Sequence, residues 1–237
     1  MSSIGDGFAW IGDPAHWSGP DGIPTRLLQH VEVSLAALVV AAAIAVPVGL
    51  IVGHTRRGQV VAVQAANVGR AVPSLAVLGV AFLIFLQVAP KLAFGFWPTL
   101  VALTLLGIPP ILVNTYVGIQ QVDPDVVEAA RGMGMSGRQI LFRIEVPLAM
   151  PLVMTGLRLA AVAIVATATL AALIAGGGLG RYIVDGYAQR RTPKLVAGAI
   201  LVATLAIFTE LAFALLTRAT SPRLGSTRGS ERSAVQA

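Results

Sequence analysis

Long apolar runs dominate the pattern of this chain, and short polar stretches separate them. A run of about 20 helical residues is long enough to cross the ~30 Å hydrocarbon core of a bilayer. Strands of a membrane barrel would alternate polar and apolar residues, whereas these runs are apolar on every side. The pattern therefore predicts an all-α polytopic membrane protein with about five transmembrane helices, in the runs 31–53, 71–89, 97–117, 152–175 and 195–216.

Composition supports a membrane protein and narrows its chemistry. The 237 residues are 56% hydrophobic and only 12% charged, and the mean hydropathy of +0.80 lies outside the range of ordinary soluble domains. Because the chain has no cysteine, it has neither disulfides nor a thiolate metal site. His16, His30 and His54 lack the paired spacing of metal ligands, so no metal site is expected.

The distribution of basic residues predicts the orientation in the membrane. Although the net charge is +6, the basic residues are spread among loops and the last twenty positions, which is typical of membrane-flanking cations and gives no reason to expect nucleic acid as a partner. An N-terminus outside places ten basic residues on the inner side and six on the outer side. We therefore expect an extracytoplasmic N-terminal tail (1–30), a transmembrane domain (31–217) and a basic cytoplasmic C-terminal tail (218–237).

The longest polar stretch between two runs, residues 123–146, has the chemistry of two short helices. Asp123 followed by Pro124 is typical of an N-cap with proline at the first helical position. Ser136 and Gln139 have the spacing of a capping box that begins a second helix. The pattern predicts a compact helix–turn–helix on the cytoplasmic side, and a plain solvated loop between two spans is the alternative.

Glycines and prolines punctuate the same stretch. Gly132, Gly134 and Gly137 are expected to interrupt the helices and form the turn. Pro147 and Pro151 are expected to close the second helix and to admit the fourth span.

The chain shows no sign of an energy source or a catalytic centre of its own. A phosphate-binding loop needs a Gly-Lys-Ser/Thr sequence, and both lysines, Lys91 and Lys194, follow prolines instead. Ser136 lies in a G-x-S-G sequence like that of rhomboid proteases, but every histidine precedes it, so an intramembrane serine hydrolase is a remote alternative. The charged residues within the runs are Glu32, Arg158 and Glu210. Glu32 lies at a membrane edge, and Arg158 and Glu210 either pair with each other or extend to the interface.

The polar stretch resembles the cytoplasmic signature of permease subunits in binding-protein-dependent ABC importers. That signature is Glu-Ala-Ala, three residues, Gly, nine residues, Ile, one residue and Leu-Pro. The chain matches its spacing with valine in place of leucine, at Glu128, Ala129, Ala130, Gly134, Ile144, Val146 and Pro147.

Further blocks resemble one group within this family. The sequences "VGRAVPSLAVLGV", "GIPPILVNTYVGI" and "AGGGLGRYIVDG" are similar to those of permeases for the osmoprotectants glycine betaine, carnitine and choline. The resemblance implies the methionine-importer-like fold of type I ABC importers in a bacterial plasma membrane. An amino-acid importer permease of the methionine type is the alternative, since it shares the signature.

The resemblance also implies partners and site residues. The partners are two cytoplasmic ATP-binding subunits, a second permease chain, identical or paralogous, an extracytoplasmic substrate-binding protein and membrane lipid. This chain would bind no cofactor itself, since ATP and Mg are used by the ATPase subunits. The residues expected to contact an ATPase are Glu128, Ala129, Ala130, Arg131, Gly132, Met133, Gly134, Met135, Ser136, Gly137, Arg138 and Gln139. Asn114, Thr115 and Tyr116 are candidates for the translocation pathway.

Overall fold

The computed structural model describes residues 3–57, 60, 64 and 72–220, and the elements among these residues are helical, as the sequence predicts. The α-helices of this part are α1 (Ser3–Gly12), α2 (Ile23–Thr55), α3 (Ser74–Val88), α4 (Phe96–Gln120), α5 (Pro124–Gly132), α6 (Gly137–Ile140), α7 (Val146–Thr167), α8 (Gly180–Ala188) and α9 (Thr192–Thr220). Short 3-10 helices (Pro14–His16, Pro90–Leu92, Ala168–Ile174) and a π-helix (Leu141–Glu145) join them. Of the predicted basic C-terminal tail (218–237), residues 221–237 lie outside the described part.

Three long helices, α2, α4 and α7, form the core of the bundle. α2 and α4 run parallel, because a Cβ built on Gly49 would lie 2.7 Å from the Cβ of Thr115 and one built on Gly53 would lie 2.7 Å from the Cβ of Ile119. Without side chains at the glycines, the two backbones approach closely, which is how helices associate where lipid removes the hydrophobic driving force. α7 packs antiparallel against α4, with Gly118 beside Ala149 near the α5–α6 end of the bundle.

We predict that Gly49→Val destabilises the bundle, because the added side chain forces α2 away from Thr115 on α4. Overpacking of this kind costs about 1–3 kcal/mol. Thermal unfolding of the detergent-purified subunit measures the effect. Gly79→Val is the matched control, since a Cβ at Gly79 on α3 meets nothing within 4 Å. Equal melting temperatures for the two variants would contradict the close α2–α4 packing.

Four helical segments of the described residues are long and apolar enough to span a membrane, and they contain four of the five predicted runs. These segments are Ile23–Thr55, Phe96–Gln120, Gly137–Ile174 and Thr192–Arg218. The remaining predicted run, 71–89, corresponds to α3, a shorter apolar helix of 15 residues. Because α2 and α4 are parallel, the chain has to return to the starting end of the bundle between them, and α3 lies in this return.

The start of the fourth span differs from the prediction. Pro147 and Pro151 do not close a second helix, because α6, the π-helix and α7 form one helical run from Gly137 to Ile174. A proline has no N–H to donate to the carbonyl of the preceding turn. A local π-helical turn lets the helix continue past this missing hydrogen bond. Pro147 therefore continues the span directly from the polar segment, without a loop between them.

The N-terminal residues, predicted as an extracytoplasmic tail, contain a helix that packs on the bundle. α1 packs on α9, since a Cβ on Gly7 would lie 2.7 Å from Val196 Cγ1. The hydroxyl of Tyr182 on α8 donates to the carbonyl of Asp21 at 2.6 Å, and burial raises the pKa of Tyr182 to about 12, so the donor stays protonated. Trp10 stacks on His16 with ring centroids 3.7 Å apart. The first two contacts join residues that are far apart in the sequence, so a local pattern of polar and small residues does not reveal them.

Three ion pairs stabilise the later helices. Arg158 on α7 and Glu210 on α9 pair within the spans, which is one of the two arrangements expected for them. At the end of the bundle away from α5 and α6, the carboxylate of Asp185 on α8 pairs with Arg181 at 2.8 Å and with Lys194 at 3.6 Å. The Arg158–Glu210 pair connects α7 to α9, the Lys194–Asp185 pair connects α8 to α9, and the Arg181–Asp185 pair lies within α8.

Candidate functional site

The polar segment between α4 and α7 folds as the sequence predicts at its first helix. The Asp123 side chain caps α5 by accepting from the Asp125 N–H at 2.9 Å, and Pro124 occupies the first turn. The helix ends at a Schellman turn, in which the Met135 N–H donates to the Ala130 carbonyl at 3.1 Å. These bonds satisfy the ends of a helix of only nine residues, so the segment has a defined shape.

Gly134 holds the left-handed position of this turn. Its φ is +80°, a region that glycine adopts freely and that a side chain with a Cβ adopts at a cost. Its N–H donates to the Arg131 carbonyl at 2.9 Å, completing the Schellman pattern. The glycine of the signature therefore occupies a backbone conformation that other residues adopt only at a cost.

The second short helix begins at the predicted capping box. The Ser136 hydroxyl accepts from the Gln139 N–H at 3.4 Å, and the Gln139 side chain accepts from the Ser136 N–H at 2.8 Å. Among the described residues, no hydrogen bond joins Ser136 to a histidine. The serine therefore has the geometry of a helix cap, and the arrangement of a nucleophile with its base is not formed.

The segment presents most of residues 128–139 to the outside of this chain. Ala130 is buried and Met135 half-buried, while the other ten positions are exposed. Two apolar side chains add to this surface, since Met133 is 76% and Val126 is 42% exposed. This segment, residues 128–139, is called the knob below, and its exposed surface is available for contact with another protein.

A cleft of about 800 Å³ lies between this knob and the end of α2. Its walls include Glu128 and Arg131 of α5 and Arg56 at the end of α2. At its base, the His54 Nδ1 lies 2.5 Å from the Glu145 Oε2. The cleft therefore carries charges of both signs where the first span meets the polar segment.

The contact between His54 and Glu145 was not predicted from the sequence. Glu145 is 6% exposed, and a buried carboxylate requires a partner. A Cβ on Gly137 would lie 3.4 Å from the His54 Nε2, so the ring also lies against the start of α6. The two residues are 91 positions apart, and only the polarity of Glu145 beside an apolar span signals that it has a partner.

The three candidate pathway residues do not share one face. Thr115 is fully buried and Tyr116 nearly so, both on the side of α4 that packs on α2. Asn114 is half-buried, donates to the Pro110 carbonyl at 2.8 Å and lies against Gly156 of α7. Their role in translocation stays a prediction.

Comparisons with known proteins identify the family. Residues 45–222 match the family described as binding-protein-dependent transport system inner membrane component. The chain is 37% identical to the carnitine transport permease protein OpuCB of Listeria monocytogenes, over 82% of this chain and 86% of the relative. It is 36% identical to the glycine betaine/carnitine/choline transport system permease protein OpuCB of Bacillus subtilis (strain 168), over 82% of this chain and 87% of the relative.

A solved structure shows the fold. The chain is similar to a chain of the MetNI methionine ABC transporter in an inward-facing conformation, with a TM-score of 0.73 and 20% sequence identity. The match covers 84% of this chain and 96% of that chain. The type I importer fold implied by the signature is therefore confirmed. With this fold and the family match over residues 45–222, the chain belongs to the inner membrane components of binding-protein-dependent transport systems.

Proposed function

We propose that this chain is the permease subunit of an ATP-driven importer for quaternary ammonium osmoprotectants. The observation that carries the proposal is the identity of 36–37%, over four fifths of the chain, to permeases named for carnitine, glycine betaine and choline. These three solutes share a trimethylammonium group. The common chemistry of the substrate class is therefore a bulky cation that cannot donate hydrogen bonds from its charged nitrogen.

The knob of residues 128–139 is the proposed contact with an ATPase subunit. Its capped helix, Schellman turn and capping box make it stiff, so a displacement of the knob is transmitted instead of being absorbed. The α6–α7 run transmits the displacement into the fourth span without a loop. The His54–Glu145 contact transmits it into the first span.

The remaining parts of the proposed importer follow from this arrangement. Two ATPase subunits bind ATP and Mg on the cytoplasmic side, and a second permease chain completes the pathway. A substrate-binding protein delivers the solute on the opposite side, where α1 and α8 lie. The N-terminus is then extracytoplasmic and the C-terminus cytoplasmic, in keeping with the majority of basic residues at the α5–α6 end.

Reconstitution tests the proposal. The importer, purified with its copurifying ATPase and binding protein, is expected to accumulate radiolabelled choline or glycine betaine in proteoliposomes against a gradient, only with ATP. Omission of the ATPase subunit is the control, because this chain has no phosphate-binding loop of its own. Accumulation of L-methionine with no uptake of the three trimethylammonium solutes would favour the amino-acid alternative and contradict the proposed substrate class.

A further inference from the structure

A cavity of about 420 Å³ opens near the starts of α2 and α4, at the end of the bundle opposite the knob. Its lining includes Gln29 and Glu32 of α2, Phe96 and Thr99 of α4, and the glycines that follow α7. The volume lies within the range of about 300–1,000 Å³ found for small-molecule sites. α2 has 33 residues and is about 50 Å long, so it is longer than a ~30 Å hydrocarbon core. Under the proposed orientation the cavity lies at the extracytoplasmic end of the bundle, where the solute arrives.

The glycine wall of the cavity is held in place by α2 and by the start of α4. The Gly95 N–H donates to the Ile174 carbonyl at 3.0 Å, with Gly95 at a φ of +78°. The Gln29 Oε1 accepts from the Gly178 N–H at 3.1 Å. A Cβ on Gly177 would lie 2.1 Å from the same oxygen, so the backbone has to be bare here. These contacts give the cavity a fixed shape before a solute arrives.

The groups left available in the cavity are an acid and an aromatic ring. The Thr99 hydroxyl is already used, since it donates to the Gly95 carbonyl at 2.6 Å. Glu32 is exposed, and within the part of the chain that the structure describes its carboxylate forms no ion pair. Phe96 is 36% exposed and packs edge-on against Trp97, with ring centroids 5.5 Å apart. A carboxylate and a ring face together attract a cation that has no hydrogen-bond donors.

We propose that this cavity is a binding site for the trimethylammonium group of the transported solute, with Glu32 supplying the charge and Phe96 the aromatic face. The proposal rests on the proposed function and adds to it a place where the solute contacts this subunit. One ring and one carboxylate bind more weakly than a complete aromatic cage. Weak binding suits a subunit that has to pass the solute on after the binding protein releases it.

The first test compares two substrates in proteoliposomes that contain the complete importer. Choline carries a net positive charge, whereas glycine betaine carries its own carboxylate, so loss of the Glu32 charge affects choline more. Glu32→Gln is expected to lower choline uptake at subsaturating concentration roughly fivefold or more, and glycine betaine uptake less. Phe96→Leu is expected to lower the uptake of both solutes roughly twofold to fivefold.

Matched variants separate recognition from folding. Glu32→Asp keeps the charge and Phe96→Trp keeps an aromatic face, so both should retain most of the uptake. Copurification of the ATPase and its hydrolysis rate show whether each variant still assembles. Assembled Glu32→Gln and Phe96→Leu complexes with wild-type uptake of both solutes would overturn the proposal.

A thiol placed in the cavity gives a readout that does not depend on transport rates. Because the chain has no cysteine, Ala175→Cys introduces its single thiol on the lining of the cavity and leaves the Glu32 carboxylate in place. A membrane-impermeant methanethiosulfonate that bears a trimethylammonium group should label it from the α8 side, and excess choline should slow the labelling. Labelling that choline does not slow would overturn the site.

The outcomes distinguish this site from the function on which it rests. If the wild-type importer accumulates no trimethylammonium solute, both the proposed substrate class and the cavity assignment are wrong. If the wild type accumulates choline or glycine betaine and neither Glu32→Gln nor Phe96→Leu changes uptake, only the cavity assignment is wrong.

Discussion

Gly134→Val is expected to abolish most ATP-driven uptake while the importer still reaches the membrane. Gly134 has a φ of +80°, and a β-branched residue held in this region is strained by about 1–3 kcal/mol. Relief of the strain breaks the Schellman bonds to Ala130 and Arg131 and moves the exposed Met133. At about 1.4 kcal/mol per factor of ten, we expect roughly a tenfold or greater loss of complexes with the native turn. Solute uptake should fall while ATP hydrolysis continues, when both are measured in the same proteoliposomes.

Two neighbouring variants make this test specific. Gly132→Ala lies in α5, where the added Cβ meets nothing of this chain within 4 Å, so the turn should keep its native bonds and uptake should fall much less than in Gly134→Val. Gly134→Asn should retain more uptake than Gly134→Val, because asparagine tolerates the left-handed region better than a β-branched residue. Normal membrane expression with unaltered ATP-driven uptake in Gly134→Val would show that the turn does not transmit force.

Short-range chemistry accounts for the parts of this molecule that the sequence predicts well. The Asp123 cap and the Ser136–Gln139 capping box involve residues two or three positions apart, so their spacing specifies the bonds. The spans follow from the same kind of pattern, because lipid requires each apolar run to satisfy its backbone within one helix. These features depend little on the rest of the fold.

Features that depend on distant pairs were missed or misplaced. The prolines at 147 and 151 predict a helix end, but the π-turn before them and the packing of α7 on α4 keep the helix continuous. The sequence of the N-terminal residues, which carries acid, glycine and proline, does not predict that α1 packs on α9. In both cases tertiary contacts outweigh the local preference.

Among the distant pairs, His54 and Glu145 carry the second large expected effect. His54→Ala removes the partner of a carboxylate that is only 6% exposed. Removing one partner of a fully buried ion pair lowers the free energy of unfolding by about 3–5 kcal/mol, because the remaining charge stays buried without a partner. The cost here should be lower, on the order of 2 kcal/mol, because the cleft admits water to the His54 side. We expect a lower melting temperature for the purified complex and less solute transported per ATP hydrolysed.

A double-mutant cycle distinguishes the lost pair from a simple loss of packing. Glu145→Gln removes the charge but keeps an oxygen for the His54 ring, so it should be milder than His54→Ala. Adding Glu145→Gln to His54→Ala replaces the stranded carboxylate by a neutral amide, and the double variant should be more stable than His54→Ala alone. Such recovery in both melting temperature and transport per ATP would connect the contact to force transmission from the knob into α2. If the effects of the two substitutions simply add, the residues act independently and α2 is moved by other contacts.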